Sequence, residues 1–174
     1  SLDLEEIHLD NKNLELTNKL IYKNSLEAFL VKPKVIFLGG DHSISYSLVR
    51  AFLDSCDQNN KKPCLIVFDS RPNCKTIDDK DKYANNENWI GFLVKSGFPS
   101  ENILLVGTRH FDKEELKFFR DNKIRVINMN QLLLDIEDTC DVIMEFSNSK
   151  ELYLSIDLSV IDPVFAPSTT HRET

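Results

Sequence analysis

Short apolar runs alternate with amphipathic stretches along most of the chain, the pattern of a parallel sheet covered by helices. Val35–Leu38, Cys64–Phe68, Ile103–Val106, Ile124–Asn128 and Leu152–Ile156 are short and enriched in β-branched and aromatic residues, and they read as strands. Cys64–Phe68 is apolar throughout, as a strand buried on both faces requires. Ser45–Asp54 carries an apolar stripe of Tyr46, Val49, Phe52 and Leu53, which predicts a helix. Leu14–Phe29, Trp89–Ser96 (ended by Gly97), Lys113–Asn122, Gln131–Glu137 and Asp141–Phe146 also read as helical. Ser1–Asn13 reads as loop. Lys75–Asn88, rich in Asp, Lys and Asn, reads as a surface loop rather than a domain linker. The expected architecture is one α/β domain in which all five strands share a parallel sheet with helices on both sides.

Three of these strands run into polar residues: His42 soon after the first, Asp69 after the second and Asp157 after the last. In an open parallel sheet the carboxyl ends of the strands form the ligand crevice. One imidazole and two carboxylates are thus gathered in one place, a donor set suited to a hard divalent ion such as Mn²⁺. The competing reading is that Asp69 and Asp157 only cap the loops that follow their strands.

Composition narrows the partners. The 174 residues carry 28 acidic against 21 basic side chains, a formal net charge of −7. Nucleic acid or an anionic membrane as main partner calls for a basic face, which this balance argues against. No apolar run approaches the roughly 20 residues of a membrane span, and Ser1–Asp10 does not look like a secretory signal. A cytoplasmic protein is expected. Cys56, Cys64, Cys74 and Cys140 show neither a C-x-x-C pair nor zinc-like spacing, so reduced thiols are expected. Cys74, beside the central motif, reads as a spectator, with a soft ligand or a reactive thiol as the alternatives.

The strand ends also carry motifs. Val35-Ile36-Phe37-Leu38-Gly39-Gly40-Asp41-His42-Ser43, Val106-Gly107-Thr108-Arg109 and Ser155-Ile156-Asp157-Leu158-Ser159-Val160-Ile161-Asp162-Pro163 occur in that order. Together they resemble the arginase/agmatinase (ureohydrolase) family over about residues 30–174. The resemblance implies a three-layer α/β/α sandwich and a binuclear Mn²⁺ site. It also implies a small guanidino or amidine substrate, such as arginine, agmatine, formimidoylglutamate or guanidinobutyrate. Trimers or hexamers are common in that family, so a homo-oligomer, or a hetero-oligomer with an active relative, is expected. Relative to the family pattern the chain looks shortened at both ends, with at least one further strand and helix expected after Thr174.

Set against that pattern, the site is depleted. Where the family reads D-A-H-x-D, this chain has Asp69-Ser70-Arg71-Pro72-Asn73. The bridging aspartate survives as Asp69, a histidine ligand has become Arg71, and a carboxylate ligand has become Asn73. Asp157 stands at the second bridging carboxylate, and Ser159 where another aspartate is needed. Asn85 aligns with the histidine thought to move protons. His42, Asp69, Asp157 and the Asn73 amide oxygen could hold one ion; Arg71, Asn73 and Ser159 mark the degenerate second position. The family's hydrolysis relies on two ions that jointly acidify water, so a pseudoenzyme or regulatory subunit is expected, or else an atypical single-metal hydrolase. The Arg71 guanidinium is expected to approach Asp69 or Asp157 in place of the second ion. Asp41 is expected to bond nearby backbone or to orient His42, Asp162 to cap its turn, and Arg109 to make a structural ion pair. His8, His110 and His171 are expected to be solvated.

Overall fold

The computed structural model describes residues 3–10 and 12–167. His171 lies outside that range. Four strands form a parallel sheet in the order β3-β2-β1-β4: β1 Pro63–Phe68, β2 Ile103–Thr108, β3 Arg125–Asn128 and β4 Glu151–Ile156. The helices are α1 Leu14–Val31, α2 Ser45–Gln58, α3 Trp89–Lys95, α4 Lys113–Asn122, α5 Met129–Leu134 and α6 Ile136–Ser147. Short 3₁₀ turns at His42–Ile44 and Leu158–Val160 complete the segments that matter for the site.

The sheet is sandwiched. On one face Leu65, Val67, Ile103 and Leu105 pack with Val49 and Leu53 of α2, Trp89, Ile90 and Leu93 of α3, and Phe119 of α4. On the other, Cys64, Ile66, Leu104 and Val106 meet Phe146 and Ile143 of α6 and Leu132 of α5. Both central strands are therefore apolar along their length, because neither face sees water. β4 differs. Its inward Tyr153 packs on Phe29 and Phe52, while Leu152, Leu154 and Ile156 on the opposite face stay exposed. The layer of α5 and α6 covers the sheet beside β4 and leaves those three side chains open.

One expected strand is corrected here. Val35–Leu38 is extended but pairs with no strand among the described residues. It keeps a period of two: Val35 and Phe37 turn inward, with Phe37 edge-on to Phe29 at 5.4 Å, while Ile36 and Leu38 are 87% and 96% exposed. A cleft of about 760 Å³ separates it from β4, so its N–H and C=O groups have no neighbouring edge to bond. The pattern gives the conformation, but a strand also needs a partner. A second correction concerns Gln131–Glu137, which is not one helix. Asp135 adopts an extended conformation (φ −151°, ψ 96°), and its carboxylate accepts from Asp138 N–H, ending α5 and starting α6.

These two regions predict opposite outcomes in chemical denaturation. Leu65→Ala removes a side chain with no exposure from between two packed layers, and should cost about 2–5 kcal/mol. Leu38→Ala should stay within about 0.5 kcal/mol of the parent. Equal losses would show that Val35–Leu38 is built into the core as a strand.

Candidate metal centre

Three chain segments converge at the carboxyl end of the sheet. Asp69 continues β1, its N–H donating to Val106 O of β2 at 3.1 Å. Asp157 continues β4, its N–H donating to Phe68 O of β1 at 2.9 Å. His42 sits in the turn that opens α2. Asp41 caps that turn, accepting from Ser43 N–H at 3.0 Å. The His42 ring is held twice: Nδ1 is 2.7 Å from Ser45 Oγ, and the ring stacks on buried Trp89 with centroids 5.3 Å apart. Asp41 thus serves its own loop, and Ser45 orients the imidazole, a partner that sequence reasoning missed.

The result is a compact donor set. His42 Nε2 lies 3.0 Å from Asp69 Oδ2 and 3.2 Å from Asp157 Oδ2. Among the described residues, these three can bring one ligand atom each within 4.8 Å of one another. Yet Nε2 is buried and meets neither carboxylate along a hydrogen-bond line. Three donors converge on shared space instead of bonding one another in good geometry. An orphaned imidazole nitrogen between two carboxylates fits a divalent ion, and the Nδ1–Ser45 contact suits the tautomer that leaves Nε2 free to ligate.

Electrostatics agree with the geometry. Burial opposes a charged His42 ring, but contact with Asp157 and Asp69 and their negative charge push its pKa up to about 9. Asp157 is held well below the usual carboxylate range by His42, against its own burial and with help from Ser159. Asp69 and Asp157 also do what the competing reading said. Asp69 Oδ1 accepts from Arg71 N–H at 3.0 Å, and Asp157 Oδ1 accepts from Ser159 N–H at 2.6 Å. Each carboxylate caps its loop with one oxygen and offers the other to the centre.

Around Asp69 the structure departs from expectation. The Asn73 amide nitrogen donates to Asp69 Oδ2, so the group facing the centre is a donor, and its oxygen could ligate only after the amide turns over. Ser159 Oγ donates to Asp69 Oδ1 at 2.8 Å, and Ser70 Oγ backs it at 3.0 Å. Ser159, expected from the resemblance to stand in place of an aspartate ligand, is thus a hydrogen-bond donor to Asp69. The Arg71 guanidinium lines both the central cleft, of about 780 Å³, and a neighbouring one that includes Glu115, whose carboxyl it helps ionise against the effect of burial. The Arg71 backbone N–H also bonds Asp69. Ser70 was missed because serine after a strand carries no distinctive signal.

The remaining candidates sort as follows. Arg109 pairs with no carboxylate among the described residues; its two terminal nitrogens donate to Ser159 O at 3.0 Å and Val160 O at 2.9 Å. Asn85 is exposed and caps its own loop through Glu87 N–H, while Asn86 and Glu87 line the cleft. Asp162 accepts from Val164 N–H, a turn cap as expected. His8 and His110 are exposed. Cys74 is buried, and burial pushes its thiol far above the usual range, so it is an inert neighbour. Cys56 and Cys64 are buried free thiols and Cys140 an exposed one.

Comparison with known proteins bears on the fold and the family. Arginase of Staphylococcus aureus (strain COL) is 25% identical over 193 residues, covering 99% of this chain and 63% of the relative. The mitochondrial arginase 1 of Arabidopsis thaliana is 26% identical over 138 residues, covering 79% of this chain and 39% of the relative. The chain therefore spans less than two thirds of the length of these curated relatives. Among solved structures, a hypothetical agmatinase from Burkholderia thailandensis superposes with a TM-score of 0.81 at 23% identity, covering 97% of this chain and 51% of that one. Formimidoylglutamase from Bacillus subtilis gives 0.83 at 18% identity, covering 98% and 54%. These likenesses share the fold. The sequence model of the Arginase family matches residues 1–174 in full, and the chain belongs to that family.

Proposed function

We propose that this protein is a ureohydrolase relative whose centre takes at most one divalent ion, and that it works as a pseudoenzyme or as a regulatory subunit of an active relative. The observation that carries this reading is that two donors already occupy Oδ1 of Asp69. A carboxylate offers about four lone-pair sites. Here Arg71 N–H and Ser159 O–H bond Oδ1, while Asn73 N–H bonds Oδ2 beside His42 Nε2. A bridging carboxylate needs free lone pairs on both oxygens, and Oδ1 has given its own to neutral donors. Charge points the same way: Asp69 and Asp157 together balance one divalent ion, not two.

A second reading, a working single-ion hydrolase of a guanidino or amidine compound, is favoured by the orphaned His42 Nε2. An ion held there would polarise a substrate carbon or acidify water. Asp157, partly open to the cleft, and the exposed cleft wall of Leu158 and Phe165 would face the compound. With Mn²⁺ present, urea released from arginine or agmatine, or formamide released from formimidoylglutamate, would favour this reading over the first.

Calorimetric titration with Mn²⁺ should give a stoichiometry near one. Arg71→His alone should leave it there, because Ser159 still supplies no charge. Arg71→His with Asn73→Asp and Ser159→Asp should bind two ions, because the Asn73 and Ser159 donors to Asp69 become carboxylates and position 71 gains an imidazole ligand. A triple variant that binds no more metal than the parent would contradict the proposal.

The pH dependence follows from His42. Its proton must leave before Nε2 can ligate, so Mn²⁺ affinity should rise about tenfold per pH unit between about pH 6 and 8. Without metal the sign reverses for folding. The raised His42 pKa contributes stability that is full below about 6.5 and fades as pH rises through about 9. Melting curves of metal-free protein should fall across that window. Flat melting and flat affinity there would mean that His42 is not the proton competing for the site.

A further inference from the structure

We infer that Gly107 and Arg109, at the end of β2, are positioning residues that set the metal centre from outside by fixing the turn that carries Asp157 and Ser159. The inference rests on the proposed one-ion centre. Neither residue offers an atom to the donor set. Both act on the Leu158–Val160 turn, whose other side faces the centre.

Arg109 is anchored by its own backbone, with N–H donating to Ser70 O at 2.9 Å, one residue beyond Asp69. Its guanidinium then spans past the end of β1 to the turn after β4 and donates one N–H each to Ser159 O and Val160 O. Two adjacent carbonyls gripped by one planar fork fix the rotation of the turn as well as its distance. Ser159 becomes a cross-brace: its N–H holds Asp157 Oδ1, its hydroxyl holds Asp69 Oδ1, and its carbonyl is held by Arg109. The Asp157 oxygen facing His42 is therefore set by a chain of bonds that ends on β2.

Gly107 supplies the room. Its φ is +85°, and a Cβ built there would lie 2.6 Å from Val160 Cγ2 and 3.3 Å from Met129 Cε. Any side chain at 107 pushes Val160 away from the sheet, and with it the turn. Gly107 lets the turn sit close; Arg109 keeps it there.

The test is titration of the 174-residue chain with Co²⁺, followed by its d–d absorption, together with melting of the metal-free protein. The parent should bind Co²⁺ with a defined band. Arg109→Ala should weaken Co²⁺ at least about tenfold and change the band, as loss of an outer-shell partner does, while metal-free melting falls by only about 2–4 °C. Arg109→Lys, which offers a point charge in place of a fork, should recover only part of that affinity. Gly107→Ala should weaken binding too, and Val160→Ala in the same chain should restore part of it by removing the clash. If Arg109→Ala does not fold, the Lys variant and the Gly107 pair carry the same comparison. Affinities within twofold of the parent and an unchanged band in the folded variants would overturn the inference, as would full rescue by lysine. A parent that binds no Co²⁺ would instead overturn the one-ion centre on which it rests.

Discussion

Asp69 is a buried carboxylate at the end of a fully buried strand, and such a group must find partners for both oxygens. Much of the site follows from how that demand is met. In this chain the partners are Arg71 N–H, the Ser159 hydroxyl, the Asn73 amide and the edge of the His42 ring. Three of the four are neutral donors that need no metal. The site is held together by protein hydrogen bonds, and in the proposed reading one cation fits between His42, Asp69 and Asp157.

This arrangement explains why residues that look like losses remain compatible with a stable fold. Truncating a ligand in a buried two-metal site would leave carboxylates uncompensated, at a cost of several kcal/mol. Here the substitutions form a set. Asn73 and Ser159 each bring a donor to a different oxygen of Asp69, and Ser70 completes the second by bonding Ser159. Protonated His42 supplies the remaining positive charge when no ion is bound, which is why its pKa rises despite burial. In the proposed reading the fold keeps a donor set that could hold a metal and changes its charge balance.

The strand ends were legible in the sequence because a parallel sheet places all its carboxyl ends together, whatever the loops do. His42, Asp69 and Asp157 could therefore be grouped from strand runs alone, and the motifs strengthened that grouping. What could not be read depended on partners far along the chain. Val35–Leu38 has strand composition, but among the described residues no edge lies beside it to make it a strand. The direction of the Asn73 amide depends on which of its ends Asp69 needs, and the Arg109 guanidinium on two carbonyls about fifty positions away. The break at Asp135 was visible in principle, since aspartate before an acidic first turn is a capping signal.

The central claim is that one ion fits and that the second position is closed by hydroxyls. Anomalous diffraction from crystals grown with Mn²⁺ tests it most directly. The account predicts one manganese peak, bounded by His42 Nε2, Asp69 Oδ2 and Asp157 Oδ2, with Ser159 Oγ still bonded to Asp69 Oδ1. Two peaks about 3.5–4 Å apart, with the Ser159 hydroxyl turned away from Asp69, would contradict it.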